Sequence, residues 1–159
     1  MKIINIPAAE AERLVPLVEE LHALHVIYDP QRYDAVPGSR ALTDWLGTWL
    51  ATPEVAAIAA ESPHGGLLGY LIYEIEERPS TPLCKGEQRA VLHHIAVAKP
   101  WQRMGIGQAL ISEMKTRVMA QNVSIIKSSH AAFNTASAGL MQAMGLMPVG
   151  VVTELRADT

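Results

Sequence analysis

The stretch Leu92–Leu110, LHHIAVAKPWQRMGIGQAL, decides how the chain is read. Val91 to Val97 is an apolar run of strand length. A turn containing Pro100 follows, and Gln102-Arg103-Met104-Gly105-Ile106-Gly107 then opens a long amphipathic helix. Glycines at a strand-to-helix turn let the backbone approach a ligand closely. The first N–H groups of the helix lack intrahelical partners and point outward at the positive end of its dipole. Such a turn is an anion site suited to a phosphate or pyrophosphate. A bare G-x-G is a weak signal, but here a strand precedes it, a helix follows, and Gln102 stands three residues before Gly105. A dinucleotide fingerprint would need a third glycine where Leu110 stands. A Walker loop would need Gly-Lys-Ser/Thr, which the chain lacks.

Working outward, Lys2–Ile6 reads as a first strand. Pro7 begins a helix in which Leu14, Leu17, Val18, Leu21 and Leu24 recur at helical spacing, and Asp29-Pro30 ends it. His22 and His25 lie three apart on this helix, a spacing open to a metal, but no third ligand stands near them and none is expected. A loop with Tyr28, Arg32, Tyr33 and Asp34 leads to Pro37-Gly38. Ser39 is placed there to cap a short helix carrying Leu42, Trp45, Leu46, Trp49 and Leu50. Val55–Ala60 and Leu67–Ile75 form a hairpin around Ser62–Gly66. Arg89–Val97 is apolar on both faces, as a central strand is. The next helix puts Ile106, Leu110, Ile111, Met114 and Val118 on one face and pairs Glu113 with Arg117 on the other. Val123–Ser129 is a further strand, and Asn134 caps a last helix that stops at Gly145. Met147–Leu155 reads as a closing strand.

That order, β-α-α-β-β-β-α-β-α-β with Gln/Arg-x-x-G-x-G after the fourth strand, resembles the GNAT superfamily of acyl-CoA-dependent N-acyltransferases over essentially the whole chain. Asn134–Leu146 resembles the closing motif of that family, in which an Asn opens a helix that ends at Gly-Phe. The resemblance implies the GNAT acyltransferase fold, an α/β (α+β) architecture. Its central mixed, mostly antiparallel sheet has about six strands flanked by four helices. It further implies one N-acetyltransferase domain over residues 1–159, acetyl-CoA (coenzyme A) as cofactor, and a homodimer. The reaction implied is acetyl transfer to a primary amine by direct attack in a ternary complex. The first reading of the acceptor is a small molecule and the second a protein or peptide. LHALHVIYDPQRY, residues 21–33, resembles members with a His-rich first helix before a Pro-aromatic loop, which act on widely different amines.

Bulk composition narrows the class. The 159 residues are 49% hydrophobic and 18% charged, enough for one globular domain with a real core. A net charge of −3 and the lack of any Lys/Arg run argue against a nucleic-acid surface. The single Cys84 cannot form an internal disulfide and reads as an ordinary thiol in a reducing compartment. No signal-peptide pattern opens the chain and no apolar stretch reaches membrane-spanning length. The expectation is a cytoplasmic enzyme with a small-molecule partner, and neither membrane nor nucleic acid.

The resemblance also assigns roles. The backbone amides of Gln102, Arg103, Met104, Gly105, Ile106, Gly107 and Gln108 hold the pyrophosphate, with Arg103 as a charge partner. Ile95, Ala96 and Val97 pair with the pantetheine arm and offer an amide to the thioester oxygen, and Asn134 approaches the arm from its helix start. The base is read partly from alternation, which puts Val91, His93, Ile95 and Val97 on one face and Leu92, His94 and Ala96 on the other. Arylalkylamine N-acetyltransferases look similar here, with a catalytic His four residues before the Val matched by Val97. Imidazole as a class titrates close to neutrality. His93 is thus the first candidate base, against the alternative of a core histidine bonded to a backbone carbonyl. His94 is a second candidate. Glu74 and Glu76, on one face of the preceding strand, are candidates to act as base or to attract the amine. The catalytic set expected is His93 with Glu74.

One departure stands out. Many family members carry a Tyr seven residues after the capping Asn, where it protonates the departing thiolate. This chain has Met141 there, and Leu146 replaces the Phe. A thioether donates no proton. A thiol pKa of about 8.5 means that releasing the bare thiolate at pH 7 costs only about 2 kcal/mol. Another donor, from Tyr28, Tyr33, Tyr70 or water, must serve. Otherwise turnover is slow, and the missing Tyr also leaves open a non-catalytic acyl-CoA-binding regulator.

Overall fold

Alternation along one strand builds the layers. The computed structural model describes residues 1–157. In it β3 (Leu67–Arg78) turns Tyr70 and Ile72 to one face and Leu71 and Tyr73 to the other, all buried. A strand covered on both faces belongs at the centre of a sheet. The described sheet has five strands in sequential order: β1 (Lys2–Asn5), β2 (Val55–Glu61), β3, β4 (Glu87–Val97) and β5 (Ile125–Ser128). The first four pair antiparallel, and β5 runs parallel to β4.

One face is covered by a 3-10 segment (Ala8–Leu14), α1 (Val15–Tyr28) and α2 (Ser39–Leu50). Leu42, Leu46 and Leu50, four residues apart, form the buried stripe of α2. The other face takes α3 (Ile106–Met119) and α4 (Thr135–Ala143). The expected apolar face of α3 is buried, and Arg117 pairs with Glu113 at 2.7 Å. Asn134 caps α4 as expected, its side chain accepting from the Ser137 N–H at 3.1 Å. Gly145, at φ +85°, stops it.

Four details differ from the sequence reading. Ser39 does not cap α2: it is the first helical residue, Gly38 takes the cap position, and the Ser39 hydroxyl donates to Glu19 at 3.3 Å. The segment after Pro7 enters as a 3-10 turn kinked at Glu10 before α1 begins. A bulge interrupts β4, because Ile72 pairs with His94 and Tyr73 with Leu92, leaving His93 as the extra residue. One extra residue reverses the phase of everything beyond it. Leu92, Ile95 and Val97 therefore pack on the α3 side and Ala96 on the α1–α2 side. His93 does not share a face with Ile95 and Val97; it and His94 both meet Trp49 of α2.

Last, Met147–Leu155 forms no strand. The segment runs instead to the loop after α1, where Glu154 pairs with Arg32 and Arg156 donates to the Gln31 carbonyl at 3.3 Å. A strand exists only where a partner edge is met, and this path meets none among the described residues.

Candidate active site

The site begins where two strands part. The parallel register of β4 and β5 ends at Leu92 and Ser128, and the bulge at His93 follows immediately. From His93 to Val97, β4 has no strand partner on its β5 side among the described residues. Its backbone groups there form an open edge, the kind that accepts an extended, amide-bearing ligand. Ile95, Ala96 and Val97 lie on this edge.

The same strand leads into the glycine turn. Gly105 caps α3 at φ +81°, a conformation that L side chains rarely adopt. Arg103 also lies at positive φ, +63°, uncommon for a residue with a Cβ. The first helical bond runs from the Ala109 N–H to the Gly105 carbonyl at 3.0 Å, so the amides ahead of it are the unpaired start of the helix. Ile106 and Gly107 are buried and anchor the turn, while Arg103, Met104 and Gln108 face solvent. The Gln102 side chain donates to the Val97 carbonyl at 3.0 Å and ties the turn to the end of β4.

Beside the upper half of β4 lies a cavity of about 710 Å³. Its walls are His22 and His25 from α1, Arg32, Tyr33 and Asp34 from the following loop, Trp45 from α2, and Leu92–Ile95 from β4. Ser128–Ala131, Asn134 and Met141 close the other side. The structure thus brings His93, Ile95 and Asn134 to one cavity. Ala96, Val97 and residues 102–108 do not line it.

Glu74 lies outside the cavity lining but reaches it through His93, whose Nε2 is 3.2 Å from Glu74 Oε2. Trp49 meets the His93 ring edge-on, with centroids 5.5 Å apart. Glu76 is committed elsewhere, in an ion pair with Arg89 at 2.6 Å. His94 is the more buried member of the pair, and the Tyr70 hydroxyl donates to its Nδ1 at 3.3 Å. Burial first, then the neighbouring His93, His25 and His22, push the His94 pKa down to about 4. Burial also raises Tyr70 above the usual phenol range, so both groups are held neutral. Of the tyrosines considered as proton donors, only Tyr33 lines the cavity, edge-on to His22 and His25. Tyr28 is exposed and stacked on Phe133. Tyr70 sits in the core beneath His94.

The depressed His94 has a measurable consequence. Its folded-state pKa lies below the unfolded value near 6.5, so below that pH the unfolded chain binds a proton that the native chain refuses. Stability should fall as pH drops from 6.5 towards 4, by up to about 3 kcal/mol. The carboxylates lowered by ion pairing, Glu61, Glu87 and Glu154, begin to lose their contributions as pH falls through the ordinary carboxylate value of 4.5, at the acid end of this window. Urea midpoints between pH 6.5 and 4.5 should therefore slope downward for the native chain. His94→Gln should flatten them. An equal slope in both proteins would place the titrating group elsewhere.

His22 and His25 turn to different acceptors: His22 Nε2 donates to the Asp34 carbonyl and His25 Nδ1 to the Leu21 carbonyl. Among the described residues no group of three His, Cys, Asp or Glu side chains could hold a metal ion. Sequence reasoning missed the Ser128–Ala131 wall and the contact of Trp49 with both histidines. Neither has a local signal, since both depend on elements that meet only in the fold.

Solved structures share this architecture. A tetramutant of the BH1408 protein from Bacillus halodurans superposes with a TM-score of 0.87 at 13% identity, covering 99% of this chain and all of that one (100%). A ribosomal-protein-alanine N-acetyltransferase from Brucella melitensis biovar Abortus 2308 gives 0.73 at 17% identity, with 99% and 100% covered. The aminoglycoside N-acetyltransferase AAC(6')-Iy in complex with CoA gives 0.76 at 18% identity, with 99% and 95% covered. No curated protein matches the sequence. At these identities the structures speak for the fold. The family itself rests on sequence, because residues 18–146, most of the chain, match the model of the Acetyltransferase (GNAT) family. With its strand-turn-helix site, this chain belongs to the GNAT acetyltransferase family.

Proposed function

We propose that this acyltransferase uses acetyl-CoA and acetylates the primary amine of a small molecule, by direct attack within a ternary complex. The observation that carries the reading is the course of β4. Its open edge runs from the cavity wall at His93–Ile95 to the turn at Gln102–Gln108. A ligand with phosphates at one end and an extended amide arm at the other fits that path. The amides of residues 102–108 would hold the phosphates, with Arg103 as charge partner. Ile95, Ala96 and Val97 would pair with the arm. Asn134 spends its side-chain oxygen on the Ser137 cap, which leaves its amide N–H groups for the same arm. When bound, the cofactor supplies the acetyl thioester.

The chain's own residues supply the rest. Glu74 accepts the Nε2 proton of His93 and fixes the ring, which leaves Nδ1 with the free lone pair that takes the proton of the amine. Direct attack is supported by the position of Cys84, which is exposed and lies outside the cavity lining. The cavity volume falls in the range of small-ligand sites, about 300–1,000 Å³. Its lining has one carboxylate, Asp34, and one guanidinium, Arg32, among histidine, serine, aromatic and aliphatic side chains. The CoA-bound aminoglycoside N-acetyltransferase of the same fold supports both the cofactor and a small acceptor. The reading extends to a single N-acetyltransferase domain over residues 1–159 that works as a homodimer in the cytoplasm. The exposed thiol of Cys84 supports that compartment. No described helix is long and apolar enough to cross a membrane.

Met141 favours a second reading, a non-catalytic acyl-CoA-binding regulator, since it offers no proton to a thiolate. A thiol-release assay with acetyl-CoA against polyamines, arylalkylamines, amino acids and peptides separates the readings. Acceptor-dependent release with a small amine is expected. Release with peptides alone would make the substrate a polypeptide, as the name of the Brucella neighbour has it for that protein. CoA binding with no release for any amine would leave the regulator.

Met141 itself offers a gain-of-function test. It is 5% exposed, packs on the α3 side, and also lines the cavity. Met141→Tyr should bring a hydroxyl to the cavity wall and raise turnover a few-fold above neutral pH, at an overpacking cost of about 1–3 kcal/mol. A folded variant with an unchanged rate at every pH would show that thiolate protonation does not limit turnover.

A further inference from the structure

The lining of the cavity beside β4 limits the charge of what it can hold. Arg32 and Asp34 line it, together with five of the six histidines. Arg32 is engaged by Asp29 at 3.1 Å and by Glu154. No Lys or Arg pairs with Asp34 among the described residues, so one lining carboxylate is left without a counter-ion. Four of the imidazoles are engaged as well: His22 and His25 on backbone carbonyls, His93 on Glu74, and His94 under the Tyr70 hydroxyl. The wall therefore complements one positive charge and has no free Arg or Lys for a negative one. A carboxylate on the guest would meet Asp34 unpaired. Further ammonium groups would lose water with no counter-ion to replace it.

Shape adds to charge. Trp45 lines the cavity with 52% of its surface exposed, together with the apolar Val18, Val36 and Leu42. Large apolar surface left open inside a concave site is surface that a flat apolar guest covers. The Trp45 ring lies 5.3 Å from Trp49 and 6.4 Å from His94, and Trp49 lies 5.5 Å from His93. An aromatic surface thus stands one ring away from the imidazole to which the proposed function gives the proton of the amine. We propose that the acceptor is a primary monoamine with an aromatic body and no anionic group, with Trp45 covering the body and Asp34 drawing in the ammonium. The amine nitrogen bonds to the acetyl carbon as the carbon–sulfur bond breaks, and the sulfur keeps the bonding pair. The ammonium loses one proton before attack and a second as the amide forms. His93 passes them to solvent or to the thiolate.

This inference rests on the small-amine reading of the same cavity, but its test also reads binding, which needs no acetyl transfer. Calorimetry of the full chain with CoA present should show that phenethylamine binds. In thiol release from acetyl-CoA, its kcat/KM should exceed those of phenylalanine and spermidine by at least about tenfold. Phenylalanine differs from it by one carboxylate, and spermidine has further cations and no ring. Trp45→Ala should raise KM for phenethylamine by about tenfold and for butylamine far less, whereas a general loss of structure would move both alike. Asp34→Asn should raise KM for both amines. A preference for phenylalanine or spermidine would overturn the proposal, as would a Trp45→Ala loss that is equal for the two amines. Phenethylamine that binds without thiol release would keep the inference and sink the catalytic reading. Release with another class of amine, and no binding of phenethylamine, would do the reverse. No binding and no release with any amine would overturn both. If the Trp45 variant does not fold, the ranking of amines by the unaltered chain decides alone.

Discussion

His93→Ala should lower turnover by about 10²-fold or more and leave CoA affinity where it was. The size follows from the role of a positioned base, which contributes about 10²–10⁴-fold. The selectivity follows from geometry, since His93 sits on the cavity wall and the glycine turn lies outside that wall. The loss should appear in kcat rather than in the Kd for CoA. Glu74→Gln is the sharper probe. It keeps the size and a hydrogen bond at 3.2 Å but removes the charge that orients Nε2. A smaller loss in kcat than for His93→Ala is expected. His93→Ala protein that turns over normally would hand the role to another group. His94 is the nearest, and its pKa of about 4 makes it a weak base. Protein that fails to fold would make His93 a structural residue, although a side chain one-third exposed beside Trp49 gives little reason to expect that.

The same residue marks how far the sequence could be read. The strand, turn and helix of Leu92–Leu110 were legible because their signals are local: apolar run, Gly positions and helical spacing lie within one segment. Asn134 and Gly145 were legible for the same reason, as caps answer to their own helix. The face that His93 occupies was not. A strand read alone alternates without fault, and only its pairing with β3 shows that His93 is an extra residue. The contact between His93 and Glu74 was not legible either, since Glu74 was read only as an alternative base and the contact depends on the register of β3 against β4. The last segment failed in the opposite sense. Met147–Leu155 has the composition of a strand, but composition does not supply an edge. The acceptor cavity was beyond reach, since its walls come from α1, α2, β4 and the segment after β5, which share no local pattern.

Gly105 carries the second large effect. Acetyl-CoA at about 100 times its Kd should stabilise the native chain by about 2.7 kcal/mol, which raises Tm by about 5–10 °C in a domain of this length. Gly105→Val should abolish that rise. Two costs combine there. The backbone at φ +81° disfavours any Cβ by about 1–2 kcal/mol, most of all a β-branched one. A Cβ at this position also meets no protein atom within 4 Å, so it projects into the open space ahead of the helix amides, where a phosphate would lie. Gly105→Asn separates the two, because Asn tolerates the left-handed conformation and still fills the space. If the turn works by admitting an anion to its amides, both variants lose the shift. If only its backbone shape matters, the Asn variant keeps it. Gly107 is the poorer probe, since its Cβ would sit 3.0 Å from Leu140 Cδ2 and disturb the packing of α3 on α4. A native chain whose Tm is unmoved by CoA but raised by NAD or ATP would refute the assignment of the turn to acyl-CoA, whatever the variants did.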